Sequence, residues 1–143
     1  MITNRSMPRS TVIPELAYDD VGVAADWLCA AFGFTVRLRI ANHRVQLNAG
    51  EGAVVVTERR RPQIADAGGH VDRAHAVMVR VDDVDHHCRQ AAGAGARIVN
   101  PPTTYPYGER QYSVEDPGGH VWTFSQSVAD VDPADWGGVA GQL

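Results

Sequence analysis

An internal repeat restricts this chain more than any other feature. Asp19-Asp20-Val21 recurs as Asp82-Asp83-Val84, and each copy lies between an apolar, strand-like run and a stretch of helical periodicity. In the first copy Val12 to Tyr18 reads as a strand. Asp19 or Asp20 can then cap a helix by accepting a free backbone N–H, and Val23, Ala24, Trp27, Leu28, Ala31 and Phe32 form an apolar stripe that stops at Gly33. In the second copy His75 to Val81 is the strand, Asp82 or Asp83 the cap, and Val84, Cys88, Ala91 and Ala92 the stripe, with Gly93 and Gly95 as the stop. The spacing from Asp20 to Gly33 is 13 residues and that from Asp83 to Gly95 is 12.

After each helix the hydrophobic period changes to alternation, which predicts strands. Phe34 to Ile40, His43 to Asn48 and Ala53 to Glu58 follow the first helix. Arg97 to Asn100, Arg110 to Glu115 and His120 to Gln126 follow the second, interrupted by Pro101-Pro102 and by the turn Asp116-Pro117-Gly118-Gly119. Each half reads βαβββ, with module 1 at about 12–58 and module 2 at about 74–126. Residues 59–73, with Pro62, Gly68 and Gly69, connect them. Residues 127–143 form a tail with one large anchor, Trp136, expected to dock locally or on a partner subunit. On the last strand Trp122 and Phe124 share the face expected to pack under the helix, while Val121, Thr123 and Ser125 share the other.

With 143 residues, 44% of them apolar and 21% charged, the chain is in the range of one globular domain with a core of its own. No leader-like apolar run opens it and no stretch is long enough to cross a bilayer, so it is read as cytoplasmic, with no membrane partner. Cys29 and Cys88 fall in helical segments and read as reduced, buried thiols. The net charge is −4 and the basic residues are scattered apart from Arg59-Arg60-Arg61. That triplet reads as a solvated loop, and no nucleic-acid footprint is present. All 13 basic residues are arginine. The absence of lysine excludes Schiff-base catalysis, covalent pyridoxal phosphate and a P-loop.

Two tandem βαβββ units, the segment Tyr107-Gly108-Glu109-Arg110 and the following Asp116-Pro117-Gly118-Gly119-His120-Val121-Trp122 resemble the vicinal oxygen chelate (glyoxalase/bleomycin resistance protein/dioxygenase) superfamily. Pro14-Glu15-Leu16, Asp20, Ala31-Phe32-Gly33-Phe34 and the run from His75 to Asp85 resemble its bleomycin-resistance-like branch. The resemblance covers roughly residues 12–126. It implies an α+β fold in which two tandem βαβββ modules form a curved, cup-shaped mixed sheet with helices on the outside.

In metal-dependent members of that superfamily, His, Glu or Gln side chains on the first and fourth strands of each module hold a divalent ion with open positions for substrate. Alignment on Asp20, Gly33 and Asp116 puts those positions near Ile13, Val56, Ala76 and Thr123, none of which serves as a ligand. His75 lies one residue off, Glu58 near a strand end and His43 at the start of another strand. Together these three are the fallback set for a divalent metal. His86 and His87, adjacent on a helix, cannot chelate one ion on one face.

The resemblance and this ligand loss lead to a metal-free small-molecule-binding protein without a cofactor, which sequesters an antibiotic or metabolite. Glu58, Met78, Arg80, Arg110, Gln111, Ser113 and Thr123 are the candidate ligand contacts, and Val54 and Ala76 are further lining. Arg80 and Arg110 are each read equally as anion contacts or as members of surface ion pairs. The alternative is a metal-dependent lyase, isomerase or dioxygenase with a nonstandard ligand set. A third reading is a metal-free enzyme with Glu58, Glu109 or His120 as general base. Open sheet edges and an open cup further predict a homodimer.

Overall fold

The computed structural model describes residues 3–59, 75–139 and 141. The first module consists of β1 (Glu15–Tyr18), α1 (Val21–Phe32), β2 (Thr35–Ile40), β3 (Arg44–Ala49) and β4 (Gly52–Glu58). The second consists of β5 (Val77–Arg80), α2 (Val84–Gly93), β6 (Arg97–Thr104), β7 (Glu109–Glu115) and β8 (Val121–Ser127). A short 3-10 turn, Pro133–Trp136, follows. Arg60 and Arg61, most of the connecting segment and the side chain of Trp136 lie outside the described residues.

The repeat in the sequence becomes a repeat in topology. The strands divide into two four-stranded sheets, ordered β1-β4-β3-β2 and β5-β8-β7-β6. In each, the first strand runs parallel to the fourth and the other pairings are antiparallel. Asp20 caps α1 by accepting from the Val23 N–H, and Asp83 caps α2 by accepting from the His86 N–H. Gly33 ends α1 at φ 76°, a left-handed conformation open to glycine at little cost.

Each helix covers one face of its own sheet and the two helices pack on each other. One core cluster therefore draws on both modules, from Leu16, Leu28 and Val56 to Tyr112, Trp122 and Phe124. Phe32, the last residue of α1, reaches across to Phe124 and Trp122, with ring centroids 4.8 and 5.4 Å apart. The opposite face of each sheet points outward.

Three local expectations change. β1 begins at Glu15, leaving Val12 exposed. β6 runs on through Pro101-Pro102 to Thr104, because it is an edge strand with register shifts around Asn100, where a missing N–H is tolerated. Arg59 is no solvated loop residue. It donates to the Ala17 and Gly118 carbonyls and pairs with Asp19, bridging the modules.

A half-buried histidine is part of the same joint. The His87 Nε2 faces the Phe32 carbonyl at 3.0 Å, so that nitrogen carries the proton, and the Tyr112 hydroxyl donates to Nδ1 at 2.6 Å. Burial pushes the imidazole below its ordinary 6.5. The unfolded chain thus binds this proton more readily than the folded one. The contribution is intact above pH 6.5 and is lost as pH falls toward the lowered folded value. The stability gap between wild type and His87→Gln, read from urea unfolding, is expected to narrow between about pH 7.5 and about pH 5. A gap independent of pH would contradict this.

Candidate functional site

Alternation along β7 and β8 separates core from site. Tyr112, Val114, Trp122 and Phe124 point into the core, so Gln111, Ser113, Thr123 and Ser125 point outward. β5 extends the outward face, with Met78 paired to Thr123 and Arg80 to Ser125, while Gln111 and Ser113 lie beside Ser125 and Thr123 on β7. Five of the expected contacts, Met78, Arg80, Gln111, Ser113 and Thr123, are thereby brought onto one surface.

The other two lie elsewhere. Arg110 has the opposite parity and grips Asp85 of α2 with two nitrogens, each at 2.9 Å. That contact first of all holds the Asp85 carboxyl below its usual range. Glu58 ends β4 on the side of Val54 and Val56, which are buried in the core beneath α1. Val54 is thus a core residue that also reaches the wall of the cleft between the modules. The run Ala53-Val54-Val55-Val56 is buried on both faces, so apolar alternation carries no phase there. On the outward side of the first sheet stand Val55 and Thr57 instead.

The second sheet's outward face is joined by hydrogen bonds. Tyr107 donates to Gln111 Oε1 at 3.1 Å, Gln111 Nε2 to Ser125 Oγ at 3.0 Å, and Ser125 Oγ to Glu109 Oε1 at 2.7 Å. Arg80 Nη1 donates to Ser127 Oγ at 2.8 Å, and Ser113 and Thr123 share a hydrogen bond of 3.0 Å in which either hydroxyl can donate. The Ser127 and Ser125 hydroxyls, in that order, hold the Glu109 carboxyl below its ordinary value. Ser125 and Ser127 were not among the expected contacts, although alternation from Thr123 points to both. Beside this face Met78 is 63% exposed. A cleft of about 760 Å³ opens between the modules, lined by Val12, Pro14, Ala53, Met78, Arg80 and Val81 among others.

This donor set does not fit a divalent cation. Among the described residues no three His, Cys, Asp or Glu side chains are grouped to hold one. Of the carboxylates on this face, Glu109 is engaged by hydroxyls, with Arg80 close enough to act on it electrostatically, and Glu115, at the far end of β7, pairs with Arg97. His43 lies in the exposed β2–β3 turn and His75 is exposed ahead of β5, in the other module. Glu109 is also a poor general base near neutrality, since its lowered pKa weakens proton uptake. His120 is occupied structurally, with Nε2 donating to the Ala17 carbonyl at 2.8 Å. Cys29 and Cys88 are free and half-buried, and burial raises both thiols, which lowers their reactivity.

Paired βαβββ modules with an outward polar face define a glyoxalase-type fold. A family model for the Glyoxalase/Bleomycin resistance protein/Dioxygenase superfamily matches residues 11–124, and the chain belongs to that superfamily. Among solved structures it is similar to TioX from Micromonospora sp. ML1, with 39% identity over 86% of this chain and 100% of that one and a TM-score of 0.67. It also resembles an uncharacterised protein of Mycobacterium bovis, 29% identical over 133 residues, covering 83% of this chain and 84% of the relative. Lactoylglutathione lyase from Agrobacterium tumefaciens, at 18% identity, a TM-score of 0.62 and coverage of 83% and 94%, shares the fold. No helix among the described residues is long and apolar enough to cross a membrane.

Proposed function

We propose that this chain is a metal-free small-molecule-binding protein of the bleomycin-resistance type, which sequesters an organic ligand on the outward face of its second sheet and acts as a homodimer. The observation that carries the proposal is the joined polar array from Tyr107 to Glu109 beside an exposed Met78 and a cleft between the modules. Short hydroxyl side chains leave room above the sheet, and their mutual hydrogen bonds hold them in place before a ligand arrives, which reduces the ordering cost of binding. Met78 and the cleft's valines supply apolar area, and the Ser113–Thr123 pair supplies a donor or an acceptor as the ligand demands. Arg80 offers a guanidinium to a carbonyl, carboxylate or phenolate.

A ligand retained through purification is identified by mass spectrometry of the denatured protein, and its affinity is then measured by calorimetry. Arg80→Ala is expected to weaken binding by about 1.5–3 kcal/mol, since a charge-assisted hydrogen bond is lost. Unchanged affinity would remove Arg80 from the site. Stoichiometric zinc, nickel or iron held through His75 and Glu58, with a reaction lost on chelation, would overturn the metal-free reading.

A further inference from the structure

On its outward side β8 carries two hydroxyls, Ser125 and Ser127, and its two neighbours set opposite charges against them. Arg80 on β5 is paired with Ser125, and Glu109 on β7 is paired with Ser127. The Ser127 hydroxyl joins the two charges, since it accepts from Arg80 Nη1 at 2.8 Å and hydrogen-bonds the Glu109 carboxylate. The Ser125 hydroxyl accepts from Gln111 Nε2 at 3.0 Å and donates to Glu109 Oε1 at 2.7 Å. Cation and anion are thus presented side by side, about two hydrogen-bond lengths or roughly 6 Å apart, with a hydroxyl between them.

A guanidinium has five N–H donors and an ionised carboxylate about four acceptor sites, so the two serines leave both groups with capacity for a ligand. Arg80 is exposed and Glu109 half-buried. A ligand of a single charge gains from one of them and is repelled by the other at a similar distance. A molecule that carries both charges on neighbouring atoms gains from both. The chemistry that meets this spacing is an α-amino acid, whose carboxylate suits the fork of Arg80 and whose ammonium suits the acceptor-only Glu109. The Ser127 and Ser125 hydroxyls hold the Glu109 carboxyl below its ordinary value, which keeps it ionised for an ammonium. Beside Arg80, Met78 is 63% exposed, and both border the cleft together with Val12, which is 78% exposed. That surface takes an apolar side chain. Glu51 and Asp82 also border the cleft but are exposed to solvent, which screens them.

We propose that the ligand of the second sheet's face is a zwitterionic α-amino acid, or a small molecule built on one, with its carboxylate on Arg80, its ammonium on Glu109 and an apolar side chain toward Met78. This assignment rests on the reading of that face as the binding site.

The probes are L-leucine, 4-methylpentanoate, which lacks the amine, and 3-methylbutylamine, which lacks the carboxylate. Each is titrated into the full chain and followed by backbone amide NMR shifts. L-Leucine is expected to bind at least about tenfold tighter than either, the difference made by one charge-assisted contact. Glu109→Gln is expected to weaken leucine about tenfold and to tighten 4-methylpentanoate, because the repulsion of its carboxylate is removed. Arg80→Gln is expected to weaken leucine by a similar factor and to tighten 3-methylbutylamine. A variant that merely loosened the face would weaken all three, and urea midpoints report whether each variant keeps its fold. Amide shifts on β5, β7 and β8, with either partial ligand bound as tightly as leucine, would overturn the zwitterion and leave the face as the site. Leucine shifts confined to other elements would overturn both. No leucine binding by about 10 mM, beyond the range of weak association, would overturn the zwitterion, while a ligand retained through purification tests the face by itself.

Discussion

Asp116→Ala is expected to lower folding stability by about 3–5 kcal/mol, the range for removing one member of a buried charged network. The carboxylate is 3% exposed and accepts from four donors. Oδ2 takes the Tyr18 hydroxyl at 2.6 Å and the Trp122 indole N–H at 3.0 Å. Oδ1 takes the backbone N–H groups of Gly118 and His120 at 2.9 and 3.0 Å. Alanine leaves all four without this acceptor, and two of them belong to side chains sealed in the core. Burial and the Asp116 charge, in that order, raise the Tyr18 hydroxyl far above its ordinary value, so it stays protonated and donating. Because Tyr18 stands on β1 and Trp122 on β8, the loss also loosens the joint between modules. Asp116→Asn, which keeps one acceptor oxygen, is expected to fall between alanine and wild type. Urea unfolding midpoints measure both, and a loss under about 1 kcal/mol for alanine would mean that water replaces the carboxylate at this turn.

Phe32→Ala is expected to cost a similar amount, about 3–5 kcal/mol, through lost burial and the cavity left behind. The ring is 4% exposed and lies 5.3 Å from Trp27, 5.7 Å from Phe34, 5.4 Å from Trp122, 4.8 Å from Phe124 and 5.9 Å from His87, centroid to centroid. Its last three partners belong to the other module. The hole therefore opens between helices and sheets that have no shared strand to hold them, where collapse needs movement of whole elements. Thermal unfolding should remain one transition at a lower midpoint. A loss below about 1.5 kcal/mol would show that the surrounding rings close over the gap.

The βαβββ repeat was legible because the features that make it are local. Caps at Asp20 and Asp83 need a carboxylate two or three residues ahead of a free N–H, and the stripes from Val23 to Phe32 and from Val84 to Ala92 repeat within a few turns. The second sheet's face was legible for the same reason, since Trp122 and Phe124 fix the phase of β8 and leave Thr123 and Ser125 outward. β4 gave no such anchor. With valine on both faces, its phase is set by β1 and β3, so Val54 was assigned to the wrong side and Glu58 to a face shared with Met78. Arg110 was separable by parity from Tyr112, but its capture by Asp85 depends on where α2 crosses β7. The partners of Asp116 were illegible for a different reason. Tyr18 is 98 residues away in sequence, and nothing in the turn Asp116-Pro117-Gly118-Gly119 announces it.

The division of each strand of the second sheet into an inward and an outward half has an evolutionary consequence. Tyr112, Val114, Trp122 and Phe124 pack into the core, whereas the intervening Ser113 and Thr123, with Met78 and Arg80 on β5, stand on the outward surface. Substitutions at the latter four positions change the proposed binding face without passing through the packed interior, where most destabilising changes arise. Such a chain can explore new specificities by drift at near-constant foldedness, and one scaffold can diversify across many chemistries while its interior stays the same.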